Sequence, residues 1–190
     1  MEKIPNTDYI LIIGSGARET IFIKKLLNDS KSINKDINII CLGNNNNPYI
    51  NEKCNLYIHE KFSKEFFIDF LNNIIKKIYN NKIKFAFIGP ELPLELEFSN
   101  MLEESNIPCI GPLSNYAQIE TSKTYARNFI KYAGLNEYSP LYVVLDNKVN
   151  KENIINNLSN FNNFVIKKDG LCGGKGVLVQ GIDFQNKEDV

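Results

Sequence analysis

Short apolar runs that are rich in β-branched residues alternate with amphipathic segments along the first 111 residues. The runs are too short to be helices, and they end at glycine, proline or asparagine, as strands buried on both faces do. Amphipathic segments between such strands predict right-handed βαβ crossovers. The pattern therefore predicts an α/β fold with a parallel, doubly wound sheet. We expect strands at 9–13, 37–42, 84–89 and 107–111 and helices at 19–28, 63–79 and 94–105, with Ser63 capping the second helix.

After Pro112 the pattern changes. A helical stretch over 114–134 breaks at Ser122, which can cap a second helix, and Gly134 is placed to end it. We place the domain boundary here, giving one domain at 1–112 and a second segment at 113–190. The second segment is predicted to contain a strand at 140–145, a helix at 151–161 and two strands flanking a glycine-rich loop.

Composition excludes several classes of function. Lysine and arginine number 22 against 22 aspartates and glutamates, so no overall field recruits nucleic acid. The four cysteines form no CxxC pair and the chain has a single histidine, His59, which argues against a zinc site and favours a reduced protein. The apolar run Tyr9–Ile13 is too short for a signal peptide or a membrane span. We therefore expect a cytoplasmic protein whose partners are small molecules, not nucleic acid or membrane.

The segment GSGARE, Gly14–Glu19, follows the first strand and precedes a helix. This geometry points backbone N–H groups and a helix N-terminus at an anion. The dinucleotide fingerprint is incomplete, because Glu19 stands where its third glycine belongs and would repel a pyrophosphate. Arg18 suits a single phosphate better. An ordinary strand-to-helix turn is the alternative.

The segment IGPELPL, residues 88–94, ends the strand predicted at 84–89. Open α/β sheets bind ligands at the carboxyl ends of their strands, so Glu91 is expected to face the crevice beside Gly14–Arg18. There it would read hydroxyls or an amine of a ligand. The prediction fails if Gly16 and Glu91 lie at opposite ends of the sheet. A solvated glutamate at a turn is the alternative.

The stretch VIKKDGLCGGKGVLVQ, residues 165–180, predicts a phosphate-binding β-hairpin. Gly173, Gly174 and Gly176 bracket Lys175, so the backbone can approach a phosphate closely while the lysine supplies charge. The spacing is not that of a P-loop, and a strand follows it instead of a helix. Lys167 follows two apolar residues and must find an anion or extend to solvent. A plain glycine-rich hairpin is the alternative, and Cys172 is interpreted as a small filler.

Five segments in order, LIIGSGARET, IGPELPL, IPCIGP, ETSKTYARNF and VIKKDGLCGGKGV, resemble the N-terminal part of phosphoribosylamine–glycine ligases. These enzymes, also called glycinamide ribonucleotide synthetases, belong to the ATP-grasp superfamily. The resemblance spans about residues 9–180 and implies a Rossmann-like, pre-ATP-grasp domain followed by the start of an ATP-grasp domain.

The resemblance implies ATP-dependent ligation of glycine to 5-phosphoribosylamine in purine biosynthesis, giving glycinamide ribonucleotide, ADP and phosphate. ATP and Mg²⁺ would take part, mostly through positioning and charge neutralisation. By motif, the ATP-binding residues would be Lys123, Lys167, Gly173, Gly174, Lys175 and Gly176. The substrate-binding residues would be Gly14, Ser15, Gly16, Arg18, Glu19 and Glu91.

The sequence departs from the family pattern in two places on the substrate side. Thr20 stands where the family usually has histidine, and Asn44–Asn47 replace a Pro-Gly-Asn segment. A third departure lies beside Lys167, where Lys168 replaces a small residue. In the family, the catalytic residues and the acidic Mg²⁺ ligands follow the glycine-rich loop, so we expect them beyond residue 190 and expect this chain alone not to turn over. Two alternatives remain: a non-catalytic phosphoribosyl-binding module, or another ATP-grasp carboxylate–amine ligase.

Overall fold

The computed structural model describes residues 8–79, 82–145 and 150–187. The chain divides into two compact units, Met1–Ala117 and Gln118–Val190. The first unit contains a five-stranded sheet with the order β3-β2-β1-β4-β5, in which every pairing is parallel. The predicted doubly wound α/β sheet is therefore confirmed. Its strands are β1 (Tyr9–Ile13), β2 (Asn38–Gly43), β3 (Leu56–His59), β4 (Ile83–Ile88) and β5 (Cys109–Ile110).

Apolar residues cover both faces of this sheet, as its continuous apolar strands require. In β1, Leu11 and Ile13 pack into one hydrophobic cluster, whereas Ile10 and Ile12 pack into a second cluster on the opposite face. The first cluster is centred on aromatic rings, and Phe67 and Phe98 stack with their ring centroids 3.8 Å apart. The central strand is thus fixed from both sides, and its carboxyl end is held at a defined position.

The helices of the first unit follow the predicted pattern with three differences. The predicted helix at 63–79 begins after Ser63, whose hydroxyl accepts from Phe66 N, but it widens into a π-helix from Phe70 onward. The predicted helix at 94–105 is wrong as one element, because Glu97 adopts a φ of 64° and separates two helices. A helix and a strand between 48 and 59 were not predicted. The elements are α1 (Ala17–Ser32), α2 (Pro48–Lys53), α3 (Lys64–Asp69), the π-helix Phe70–Tyr79, α4 (Glu91–Glu95) and α5 (Phe98–Glu104).

The second unit contains helices and a separate β-hairpin. The predicted break at Ser122 is confirmed: its hydroxyl accepts from Tyr125 N at the start of a new helix, and Gly134 adopts a φ of 73° just after that helix. The predicted strand at 140–145 is wrong. These apolar residues pair with no other strand in the described part of the chain, and Leu141 is 84% exposed. The elements are α6 (Ser114–Thr121), which crosses the unit boundary, α7 (Lys123–Tyr132), a 3-10 turn (Asn136–Tyr138), α8 (Lys151–Leu158), β6 (Val165–Lys167) and β7 (Val177–Val179).

Within the described residues, every helix is too short or too polar to cross a membrane.

Candidate ligand-binding site

The carboxyl ends of β1 and β4 lie side by side at one edge of the sheet of the first unit, and the region between the segments that follow them is called the crevice here. The two strands are adjacent and parallel, with Ile13 opposite Ile88, and the chain reverses its winding direction between them. Open α/β sheets bind ligands at such a switch point. Gly16 lies in the loop after β1 and Glu91 begins α4 shortly after β4, so both residues lie at the same edge of the sheet, as predicted.

Ser15 is tied to the loop after β2. Its hydroxyl donates to Asn45 O and accepts from Asn45 N, each at 3.0 Å, and Tyr57 also donates to Asn45 O. The preceding Gly14 has a φ of 118° and donates to Leu42 O at 2.8 Å. The glycine turn is therefore fixed by backbone and hydroxyl contacts. The Ser15 hydroxyl already makes two hydrogen bonds within the protein.

Glu19 folds back over the same turn. Its Oε2 accepts from Gly16 N at 2.6 Å, while only 3% of the residue is exposed. Its Oε1 is buried and has no hydrogen-bond partner among the described residues. A Cβ atom on Gly89 would lie 1.7 Å from that oxygen, so the glycine after β4 leaves room for this carboxylate. The carboxylate therefore fills the space between the glycine turn and Gly89.

Cys41 lies beneath the glycine turn and donates through Sγ to Gly14 O at 3.2 Å. The pKa of the Cys41 thiol is raised well above its ordinary value, first by its hydrogen bond with Cys54, then by burial and by the negative charges of Cys54 and Glu19. A thiol that stays protonated is a poor nucleophile, so Cys41 supports the turn structurally.

Thr20 and Asn47 connect the glycine turn to α2. Thr20 donates through Oγ1 to Gly16 O, and Asn47 donates through Nδ2 to both Thr20 Oγ1 and Ser15 O, each at 2.9 Å. The carbonyl oxygen of the Asn47 side chain also accepts from Ile50 N and caps α2. The two departures from the family pattern on the substrate side are thus in direct contact with each other.

In the second unit, Asp169 caps α7 from a distant part of the chain. Its Oδ1 accepts from Lys123 N at 2.6 Å, from Thr124 N at 3.3 Å and from Gly170 N at 2.9 Å, and Ser122 Oγ donates to the carboxylate. Lys123 Nζ in turn donates to Gly170 O at 2.8 Å. The N-terminus of α7 and the start of the glycine-rich loop are therefore held together at two points.

The glycine-rich loop joins β6 to β7, which pair antiparallel as predicted. Gly173 and Gly174 have φ values of 56° and 78°, and a Cβ atom on either would meet nothing within 4 Å. Lys175 N donates to Cys172 O at 3.0 Å and closes the turn. Within the described ranges, the ammonium groups of Lys167 and Lys175 have no hydrogen-bond or ion-pair partner. The loop thus offers open backbone and free positive charge, which fits a polyphosphate.

Gly176 serves a different purpose from the other two glycines. A Cβ atom there would lie 2.7 Å from the Cβ of Cys172. Cys172 is therefore packed against the loop backbone, as its interpretation as a small filler predicts.

A sequence-family profile described as "Phosphoribosylglycinamide synthetase, N domain" matches residues 8–120. This range contains the whole sheet of the first unit and every residue of the crevice. The chain belongs to the phosphoribosylglycinamide synthetase N-domain family.

Full-length relatives of the family extend the match into the second unit. The chain is 34% identical to the phosphoribosylamine–glycine ligase of Methanococcus vannielii over 95% of its own length and 38% of that protein. It is 32% identical to the enzyme of the same name from Methanosarcina barkeri over 90% of its length and 36% of that protein. The chain thus spans less than two-fifths of the length of these relatives.

A solved structure supports the fold that the family membership implies. The biotin carboxylase domain of Hydrogenobacter thermophilus 2-oxoglutarate carboxylase aligns with a TM-score of 0.57 and 16% identity. The alignment covers 89% of this chain and 37% of that one. The likeness supports an α/β N-terminal domain followed by the start of an ATP-grasp domain.

The sequence patterns did not identify three residues whose hydrogen bonds hold the candidate sites in place. Asn47 precedes a proline at the start of α2, and an asparagine–proline pair is a helix-start signal that was available. Asn45 and Asp169 contact residues 30 and 46 positions away, and spacing within the chain gives no sign of them. The described residues also contain no cluster of three or more metal-ligating side chains.

Proposed function

We propose that the chain supplies the N-terminal part of a ligase that joins glycine to 5-phosphoribosylamine at the expense of ATP. The observation that carries this proposal is the meeting of Gly14–Glu19 with Glu91 at the switch point of the sheet. This arrangement occurs in a chain whose first unit matches the phosphoribosylglycinamide synthetase N domain. The Methanococcus vannielii relative that bears the ligase's name is about 2.5 times as long, because 95% of this chain aligns with 38% of that protein.

The first unit is proposed to bind phosphoribosylamine. Glu91 would accept hydrogen bonds from ribose hydroxyls or from the amine, because its carboxylate lies at the carboxyl edge of the sheet and, among the described residues, pairs with Arg18 alone. That ion pair is partly exposed, so a ligand with both a donor and a phosphate can separate the two charges at small cost. The turn of Gly14, Ser15 and Gly16 would form the floor of the pocket.

The second unit is proposed to hold the phosphates of ATP. Among the residues that the structure describes, Lys167 and Lys175 have unpaired ammonium groups, and Lys123 Nζ uses one of its three protons, on Gly170 O. Open backbone at Gly173–Gly174 would let the loop lie over the phosphates, with Gly176 setting the shape of the turn. Mg²⁺ would neutralise charge on the phosphates when bound, and we assign it no ligand in this chain. We place the boundary between the part that binds phosphoribosylamine and the part that binds ATP at residue 112. The proposed compartment is the cytoplasm.

A chimera tests the proposal. Residues 1–190 replace the corresponding part of the Methanococcus vannielii ligase, and the product is assayed for ADP and glycinamide ribonucleotide with ATP, glycine and phosphoribosylamine. We expect turnover that Lys175→Ala lowers by about tenfold or more, because one charge-assisted phosphate contact is lost. Lys35→Ala, at an exposed lysine next to β2, is the matched control and should leave turnover unchanged.

Direct binding keeps the test decisive if the chimera is inactive. The 190-residue chain is titrated with ribose 5-phosphate and with a non-hydrolysable ATP analogue by calorimetry. Saturable binding of both supports the proposal. An inactive chimera together with no binding of either ligand contradicts it, and binding of ribose 5-phosphate alone favours a non-catalytic phosphoribosyl-binding module.

A further inference from the structure

The N-terminus of α1 has the form of an anion site. It follows a buried strand and a glycine turn, and its 16 residues align enough peptide dipoles to give a partial positive charge at its start. In a free site of this kind, the first N–H groups point at open space. Here Gly16 N already donates to Glu19 Oε2 at 2.6 Å.

The room that the glycines provide is also filled by Glu19. A Cβ atom on Gly14 would lie 2.9 Å from Glu19 Cδ, and one on Gly16 would lie 3.0 Å from Glu19 Oε2. A Cβ atom on Gly89 would lie 1.7 Å from Oε1. Gly16 and Gly89 therefore accommodate a carboxylate of the protein itself. This carboxylate accepts, in a capping box, the N–H of Gly16 that an anion bound at the helix end would otherwise accept.

Among the described residues, no basic side chain forms an ion pair with this carboxylate. Its Oε1 has no hydrogen-bond partner in the described part of the chain. Arg18, the neighbouring cation, is directed to Glu91 instead. Two like charges a few ångströms apart in a crevice of low dielectric repel each other strongly, so a phosphate cannot share this position with Glu19.

We propose that Glu19 is a specificity-determining residue that excludes phosphate from the N-terminus of α1. The crevice between β1 and β4 then receives the part of a ligand that carries hydroxyl or amine donors, and the ligand's phosphate is bound by other groups. This inference rests on the proposed function for the identity of the ligand, since phosphoribosylamine carries both an amine and a phosphate. It also excludes dinucleotides from the crevice, because their pyrophosphate requires this helix end.

The test measures phosphate at the helix end without any substrate. The ¹⁵N-labelled chain is titrated with inorganic phosphate at constant ionic strength, and the amide signals of Gly16 and Ala17 are followed. In the wild-type protein we expect no saturable shift. In Glu19→Ala we expect a saturable shift at both amides and an affinity for phosphate about tenfold higher or more, because the competing anion is gone.

Two further variants make the result interpretable. Glu19→Gln keeps an acceptor for Gly16 N without the charge and should show intermediate phosphate affinity, which serves if Glu19→Ala does not fold. Glu65→Ala removes a first-turn glutamate from α3, which lacks the glycine crevice, and should create no phosphate site.

The proposal is overturned by a saturable wild-type shift as large as that of Glu19→Ala. It is also overturned if folded Glu19→Ala and Glu19→Gln both leave the two amides unshifted. Because no substrate is present, these outcomes are independent of whether the chain supports ligation, which the chimera tests separately.

Discussion

Arg18 Nη2 lies 3.1 Å from Glu91 Oε1 and joins the first turn of α1 to the first residue of α4. The side chains are 64% and 34% exposed, so water screens much of their attraction. Such pairs contribute about 0–1 kcal/mol to stability. The pair therefore costs little to separate, and its position at the switch point of the sheet makes it a candidate contact for a ligand.

We predict that Glu91→Gln weakens ligand binding while leaving the stability of the fold almost unchanged. The free energy of unfolding should change by less than about 1 kcal/mol, because the ion pair is exposed. The affinity for ribose 5-phosphate should fall about tenfold or more, because a charge-assisted acceptor is lost from the pocket. Urea unfolding and calorimetry measure the two quantities on the same samples.

Asp29→Asn is the matched control for this prediction. It breaks the exposed pair between Lys25 and Asp29 on α1, which is not part of the crevice. In this variant the free energy of unfolding should change no more than it does for an ordinary surface substitution. The affinity for ribose 5-phosphate should stay the same. Equal affinity for ribose 5-phosphate in Glu91→Gln and in wild type would remove Glu91 from the proposed pocket.

We predict that Gly89→Ala is destabilising only while Glu19 is present. Gly89 has no positive φ, so alanine is tolerated by the backbone, but its Cβ would lie 1.7 Å from Glu19 Oε1. Displacing the carboxylate should cost about 1–3 kcal/mol of unfolding free energy. In the Glu19→Ala background most of this cost should disappear, since all three nearest atoms belong to Glu19.

Gly111→Ala provides the comparison for this double-mutant cycle. Its Cβ would come no closer than 3.3 Å to another heavy atom, at the end of the Leu94 side chain. We expect a small change in unfolding free energy that is the same with or without Glu19. Additive effects of Gly89→Ala and Glu19→Ala would show that the carboxylate does not occupy the crevice in solution.

The sheet was predictable because its information is local. The run Tyr9–Ile13 matches β1 residue for residue, and the edge of the sheet that carries Gly16 and Glu91 follows from where β1 and β4 end. Pairing between segments that are far apart in the sequence was not predictable. The run at 140–145 has strand composition, but an apolar run becomes a strand only when another strand offers its edge.

The site shows the same limit. That Glu19 disfavours a pyrophosphate follows from its place in the sequence, but its rotamer, folded back onto Gly16 N, does not. α1 itself is anchored by Ile23, which is fully buried, whereas Ile21, an apolar residue two positions earlier, is 65% exposed. The sheet decides which face of the helix is buried against it. A short apolar pattern in the sequence does not determine that face.

We predict that Asn47→Ala costs more than the loss of an ordinary helix cap. Asn47 caps α2 and also donates to Ser15 O and Thr20 Oγ1. Its removal should lower the unfolding free energy by about 2–3 kcal/mol, one part from the cap and one part from the unpaired acceptors. Urea unfolding of the 190-residue chain measures the change.

Ser63→Ala is the matched control, because Ser63 caps α3 in the same unit through one bond to Phe66 N. It should cost about 1 kcal/mol. Combining Asn47→Ala with Thr20→Val should give less than the sum of the single effects, since both remove the same hydrogen bond. Equal costs for Asn47→Ala and Ser63→Ala would mean that the bonds to the glycine turn contribute nothing.

We predict that the cap on α7 is lost only in strong acid. Desolvation raises the pKa of Asp169, but hydrogen bonds from Thr124, Gly170 and Lys123 outweigh it and lower that pKa from 3.8 to about 2. Because the folded pKa lies below the unfolded one, the stabilisation is complete above about pH 4 and disappears as the pH falls through about 2. An NMR titration of the Asp169 carboxyl carbon should give a midpoint near 2, and the Lys123 amide should shift with the same midpoint.

Asp169→Asn should remove this titration and weaken the start of α7 by about 1 kcal/mol above about pH 4, because a neutral amide oxygen is a weaker cap than a carboxylate at a helix N-terminus. Below about pH 2 the difference from wild type should disappear, because the wild-type carboxyl is then protonated as well. Asp183→Asn is the control, because Asp183 also accepts a backbone hydrogen bond, from Val179 N, but lies away from α7. It should leave the Lys123 amide unchanged. A carboxyl midpoint near 3.8 in the wild-type protein, or an unshifted Lys123 amide in Asp169→Asn, would show that Asp169 does not cap α7 in solution. The start of the glycine-rich loop would then be held to that helix only through Lys123 Nζ and Gly170 O.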